Sequence, residues 1–137
     1  MSDKTFTLEV ITPERSAVDA EVLSVQATAT DGSMGVLARH APLIAALAAG
    51  PLRYRDPSGK EIDLLVGDGF AEIHGNRMKV LGDFAEFPAE IDAERAERSL
   101  VRARERLKKR GPDVDSVRAE AALRRATARL KVAGGVN

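Results

Sequence analysis

The hydrophobic period of this chain changes once, at Pro88. Before it, apolar residues recur at every second position. After it, they recur three or four residues apart. A period of two buries one face of a strand, and a period near 3.6 buries one stripe of a helix. The chain therefore does not keep one kind of element throughout. It reads as a strand-built part, residues 1–87, followed by a helix-built part, residues 88–137. Charge divides at the same place. Residues 1–88 carry 8 basic and 13 acidic side chains, a balance of −5, and residues 89–137 carry 13 basic and 8 acidic, a balance of +5. All five aromatics and eight of the eleven glycines lie in the first part. Two chemistries on one chain of 137 residues predict two structural units.

In the first part, Phe6, Leu8 and Val10 alternate with Thr7 and Glu9 until Thr12-Pro13 ends the run, because proline cannot donate to a ladder. Leu23, Val25, Ala27 and Ala29 alternate next, up to a turn at Asp31-Gly32. Short runs follow at 35–38, 43–47 and 51–55. Asp56-Pro57-Ser58-Gly59 has the residues of a hairpin turn, with proline at the second turn position and glycine suited to positive φ. Ile62, Leu64 and Val66 alternate after it. Gly67-Asp68-Gly69 and Gly75-Asn76 then separate two more strands. Turns every 8–12 residues predict an antiparallel β-sandwich or barrel. The stretch 42–50 suits a buried strand or a helical turn equally well.

In the second part, Ala96, Leu100, Ala103 and Leu107 form one helical stripe, and Ala119, Leu123, Ala126, Leu130 and Ala133 form another. Between them, Gly111 closes the first helix, Pro112 blocks continuation, and Asp113 is the expected cap of the second. The prediction is an antiparallel helical hairpin with an alanine-rich seam. Such a seam buries little area, so the hairpin should be loosely held.

Composition excludes several functions. There is no Cys, hence no disulfide scaffold, thiolate zinc site or cysteine nucleophile. His40 and His74 alone do not make a metal site; His40 is expected to make a loop hydrogen bond. No apolar run approaches the ~18 residues of a membrane helix, and the start resembles no signal or transit peptide, so a cytoplasmic chain is expected. Gly32-x-x-Gly35 lacks the Lys-Ser/Thr of a P-loop and suits turn geometry. Asp68 reads as a turn residue. Asp83 and Glu86 have no base or nucleophile beside them, so no catalytic site is expected.

The arginines carry more information. Arg95, Arg98, Arg102 and Arg106, then Arg118, Arg125 and Arg129, recur at helical spacing. The simplest account is a solvated face. Two others compete with it: an acidic protein partner, or a nucleotide whose phosphates suit the guanidinium fork. Nucleic acid is disfavoured, because the segment has no aromatic to stack on a base.

Several motifs, in this order and spacing, resemble the epsilon subunit family of the bacterial F-type ATP synthase over essentially the whole chain. They are Val10-Ile11-Thr12-Pro13-Glu14-Arg15, Gly32-x-x-Gly35-Val36-Leu37 running into His40-Ala41-Pro42-Leu43, and Gly69-Phe70 ahead of Glu72-Ile73. Leu81-x-Asp83-x-Ala85-Glu86, Ile91-Asp92-x-x-Arg95-Ala96 and Ala121-Ala122-Leu123-Arg124-Arg125-Ala126 complete the set. Two positions depart from the pattern: Arg39 stands where the family usually has Gly, and Asp68 where a small residue is common.

The resemblance implies an α+β fold, an N-terminal antiparallel β-sandwich of about ten strands followed by a two-helix hairpin. It implies a non-catalytic central-stalk subunit that joins the gamma subunit to the c-ring and so couples proton translocation to ATP synthesis. The complex would place it peripherally on the cytoplasmic face of the bacterial plasma membrane, without direct insertion. The loop 31–42, with Asp31, Gly32, Gly35, Arg39, His40, Ala41 and Pro42, is the implied c-ring or gamma contact. The hairpin is the implied regulatory arm, able to extend toward acidic surfaces of the alpha/beta catalytic ring and oppose hydrolysis. No cofactor is required, but a regulatory ATP is implied at Glu86, Ile91, Asp92, Arg95, Ala96, Arg102, Arg125 and Arg129. The rival reading is a free-standing sandwich whose basic hairpin recruits an acidic protein.

Overall fold

The computed structural model describes residues 4–109 and 115–134. Its strands are β1 (Phe6–Ile11), β2 (Ser16–Val22), β3 (Ser24–Ala29), β4 (Gly32–Leu37), β5 (Leu43–Leu47), β6 (Gly50–Arg55), β7 (Glu61–Val66), β8 (Gly69–His74), β9 (Arg77–Gly82) and β10 (Ala85–Glu86). A 3-10 turn at Pro88–Glu90 leads into helices α1 (Ala93–Lys109) and α2 (Ser116–Ala133). One layer runs β2-β1-β9-β8-β5, and the other runs β4-β3-β6-β7-β10. A single rung, Ala29 opposite Leu47, joins them. Leu8, Val10, Val22, Val25, Leu52, Leu64, Met78 and Val80 fill the space between and are fully buried. The β-sandwich followed by two helices is the expected fold.

Two expectations change, and one reading left open is decided. First, β1 runs parallel to β9, with Val10 opposite Val80, so the sheet is not wholly antiparallel. Short turns produce antiparallel neighbours; β1 and β9 are joined by some 65 residues of chain, which leaves their relative direction free. Second, residues 43–47 are a strand. Its outward residues Ile44 and Ala46 are as apolar as its inward ones, which erased the alternation. Third, the cap of α2 is Asp115, whose Oδ1 accepts the Arg118 N–H at 3.0 Å. A capping carboxylate must sit immediately before the first helical turn, and here that turn starts at Ser116. The expected turn at Arg110-Gly111-Pro112-Asp113 lies outside the described residues.

The turn chemistry is as the residues suggest. Asp56 Oδ1 accepts from Ser58 N, Ser58 Oγ and Lys60 N, and Gly59 has φ +91°. Gly75 and Asn76 both have φ +59°, the two positive values of a primed hairpin turn between β8 and β9. Arg39 has φ +64°, the left-handed conformation that glycine favours, which accounts physically for the usual residue at that place.

The helices pack through the two stripes: Ala96, Leu100 and Ala103 of α1, and Ala119 and Ala126 of α2, are buried. The hairpin lies folded on the sandwich. Leu65 points out of β7 and is covered by Ala128 and Val132 of α2, with Phe84 and Ile91 packed around them.

Candidate functional site

The contact between α2 and the sandwich follows from a local irregularity. Ile62, Leu64 and Val66 alternate, but Leu65 is apolar too, so β7 carries apolar side chains on both faces. A run of three such residues is the mark of a strand covered on both sides. Leu65 is 0 % exposed, and α2 is what covers it. That run and the pair Ala128–Val132, at i and i+4 beside the seam stripe, were the available sequence signals for the docking.

Arg129 adds polar bonds at the edge of this contact. Its Nε donates to Glu86 Oε1 at 2.8 Å, and its guanidinium carbon lies 4.7 Å from the centroid of the Phe84 ring. Glu86 and Arg129, both half-buried, thus pair across 43 residues of chain. Ile91 packs in the same cluster. Asp92 Oδ1 accepts the Arg95 N–H at 3.0 Å and so caps α1. Ala96 is buried in the helical seam.

Of the eight residues implied for a nucleotide, the structure therefore brings Glu86, Ile91 and Arg129 together. Asp92 and Arg95 meet through the cap. Arg102 donates to Ser99 Oγ. Among the described residues, no ion pair engages Arg95, Arg102 or Arg125. Arg95 and Arg102 lie on α1, and Arg125 lies on α2. A groove of about 630 Å³ between α2 and β3–β6 includes Thr28, Pro51, Leu123, Arg124 and Lys131 in its lining, and none of the eight residues lines it.

The residues implied for ring contact do not form one loop. Gly32–Leu37 is strand β4, so Asp31 and Gly32 sit at one end of it and Arg39, His40, Ala41 and Pro42 lie beyond the other. Gly35 lies mid-strand, opposite Gln26. At ~3.3 Å per residue, the two ends are separated by roughly 17 Å or more. His40 makes the expected loop bond, its Nδ1 2.7 Å from the Ala41 carbonyl oxygen. Asn76 braces this loop, accepting the Arg39 N–H at 2.8 Å and donating to the Thr5 carbonyl at 2.9 Å. No group of three or more His, Asp or Glu able to hold a metal occurs among the described residues.

A second surface lies on the opposite layer and was not expected as a surface. Ala46, Phe70, Leu81 and Ile11 are in register across β5, β8, β9 and β1. This row faces outward, with Phe70 59 % and Leu81 48 % exposed; Ile44, 72 % exposed, stands beside it. Gly69 permits the arrangement: a Cβ there would lie 1.8 Å from the Leu81 carbonyl oxygen, so only glycine lets β8 and β9 close next to Phe70. Such a row normally marks an interface.

Comparison with known proteins agrees with this architecture. The family model for the ATP synthase delta/epsilon chain β-sandwich domain matches residues 5–88, and the model for its long α-helix domain matches residues 89–134. An ATP synthase epsilon chain of Carboxydothermus hydrogenoformans is 50 % identical over 112 residues, covering 82 % of this chain and 82 % of that one. The epsilon chain of Ruminiclostridium cellulolyticum is 46 % identical over 106 residues, 77 % of this chain and 78 % of that one. In fold, the chain is similar to one in the cryo-EM structure of the Euglena gracilis mitochondrial ATP synthase OSCP/F1/c-ring, with TM-score 0.84 and 24 % identity over 95 % of this chain and 81 % of that one. A chain from the central stalk and c-ring of the Tetrahymena thermophila enzyme gives 0.61 and 16 %, covering 98 % of both. With both domain models matched in order and relatives near half identity over most of its length, the chain belongs to the ATP synthase delta/epsilon chain family.

Proposed function

We propose that this chain is a non-catalytic central-stalk subunit of an F-type ATP synthase, linking the gamma subunit to the c-ring and passing proton-driven torque between them. The observation that carries the reading is the exposed apolar row Ala46–Phe70–Leu81–Ile11, a rigid face on the layer away from the hairpin. A rotor part needs a stiff body with a permanent interface, and a row built on four paired strands supplies both. We assign this face to gamma, and the two ends of β4 to the c-ring. The subunit would sit peripherally at the cytoplasmic face of the membrane; among the described residues no helix is long and apolar enough to cross it. The test is co-purification with gamma. Phe70→Asp places a desolvated charge in the interface and should abolish capture while leaving the exposed-face variant folded by circular dichroism. Undiminished capture would sink the assignment.

The hairpin is read as a detachable brake. Among the described residues, a small apolar cluster, the Arg129–Glu86 pair and the Arg129 contact with the Phe84 ring hold it, and its +5 balance suits acidic surfaces of the catalytic ring. ATP bound through Arg95, Arg102 and Arg125 would favour the folded form by its greater affinity for that form. Calorimetric titration of the isolated chain should show ATP binding that Arg95→Ala weakens; no heat with the unaltered chain would dispose of nucleotide sensing.

A further inference from the structure

Arg15 lies in one of the motifs that carry the family resemblance, yet neither the docking face nor the nucleotide reading uses it. The structure shows what it does. Thr12, nearly buried, folds the β1–β2 turn around its own hydroxyl: Oγ1 accepts from Glu14 N and Arg15 N and donates to the Arg15 carbonyl, and Thr12 N donates to that same carbonyl at 2.9 Å. The turn presents the Arg15 guanidinium to the strap between sandwich and helices. Nη1 donates to Glu90 Oε2 at 2.9 Å, and Nη2 donates to Glu90 Oε1 at 2.8 Å and to the Ala85 carbonyl at 2.7 Å. Glu90 is itself fixed, because its Oε1 also accepts the Phe87 N–H at 2.8 Å. A bidentate fork of this kind sets direction as well as distance.

The strap is held at both ends of its length. Ala85 and Glu86 pair with Val66 and Leu65 of β7. Glu90 N donates to Phe87 O, and Ile91 N to Pro88 O. On the far side, Asp92 belongs to the helix, accepting from Arg95 N with its carboxylate and from Ala96 N with its carbonyl. Between the two sets of bonds lies the Ile91–Asp92 link, which neither set spans. Ile91 is in extended conformation, with φ −86° and ψ 125°.

We propose that Arg15 is a positioning residue for the hairpin: it staples the strap 85–90 to the β1–β2 turn, so that the hairpin pivots at the Ile91–Asp92 link while the strap stays with the sandwich. This rests on the reading of the hairpin as detachable. The consequence is a defined swing. A loose strap would let the helices leave in any direction, whereas a stapled one starts them from a single point beside β7 and β10.

The chain has no native Cys, so spin-label pairs can be placed cleanly. One pair, Lys60→Cys with Ala89→Cys, reports the strap; another, Lys60→Cys with Glu105→Cys, reports α1. All three sites are exposed. Val132→Asp puts a charge against Leu65 and releases the hairpin. The expected result in V132D is a longer, broader 60–105 distance with an unchanged, narrow 60–89 distance. Adding Arg15→Ala should broaden 60–89 as well, and Arg15→Lys, which keeps a cationic donor toward Glu90 and Ala85, should broaden it less than Arg15→Ala does. Lengthening of 60–89 with Arg15 intact places the pivot upstream and overturns the proposal, as does a narrow 60–89 in the R15A background. A 60–105 distance that stays narrow in V132D instead refutes the detachable hairpin, and the pivot with it, by a different signature.

Discussion

Asn76 does at one position what several residues usually share. Its backbone takes the positive φ of the β8–β9 turn, while its side chain ties the β4–β5 loop to the start of β1. Asn76→Gly keeps the turn and loses both ties; Asn76→Ala loses the ties and strains the backbone. Both should destabilise in urea titration, with Ala the worse by about 1 kcal/mol. Glu90 makes a second prediction at this scale. Its carboxyl is held down to about 2, first by the hydrogen bonds from Arg15 and then by the Phe87 N–H. A carboxylate with a lowered pKa contributes fully above its ordinary value of 4.5 and loses that contribution as pH falls toward 2. The staple should therefore hold at neutral pH and fail in that window. In Arg15→Ala, the Glu90 side-chain NMR signal should titrate close to the ordinary carboxylate range. Local chemistry at this scale was readable from sequence. The turns at Asp56-Pro57-Ser58-Gly59 and Gly75-Asn76 are set by residues within four positions, whereas the Asn76 side-chain ties to Arg39 and Thr5 span 37 and 71 positions and were not readable. Arg15 and Glu90 were not readable as a pair, because 75 residues separate them and nothing in either side chain names its partner.

Helix α2 is the element on which most depends, and it has two buried faces rather than one. Ala119 and Ala126 face α1; Ala128 and Val132 face Leu65. The first face was visible as a stripe of five. The second was obscured because alanine adds little apolar signal and only Val132 stands out among Thr127, Arg129 and Lys131. Docking therefore rests on few atoms. Arg129→Ala removes the Glu86 pair and the contact with the Phe84 ring, each worth about 0.5–1 kcal/mol at partly exposed sites. At a factor of ten per 1.4 kcal/mol, the population of undocked hairpin should rise roughly tenfold, read as a distance distribution between α2 and β7. Strand β5 teaches the converse lesson. Its missing alternation left strand and helical turn equally open, and the cause was its outward Ile44 and Ala46. The residues that blurred the element belong to the proposed interface.

For the whole molecule, the −5 and +5 halves meet directly at Glu86 and Arg129, while the sandwich core is complete without the hairpin: its buried cluster draws on no residue beyond Ala85, with Phe87 packed at its edge. Truncation after Phe87 should therefore leave a folded sandwich that still binds gamma. If the hairpin is the brake proposed above, the truncated complex should hydrolyse ATP faster than the full-length one; equal rates would show that the arm does not restrain it. Sequence by itself determined the change from strands to helices, most strands, the turns at Asp56–Gly59 and Gly75–Asn76 and the helical seam, because period and turn chemistry act over a few residues. The tertiary structure alone decided that β1 lies parallel to β9, that α2 docks on Leu65, and that Arg15 reaches Glu90. Those outcomes depend on contacts between residues 40 or more positions apart, each worth little, and only their simultaneous fit selects one arrangement.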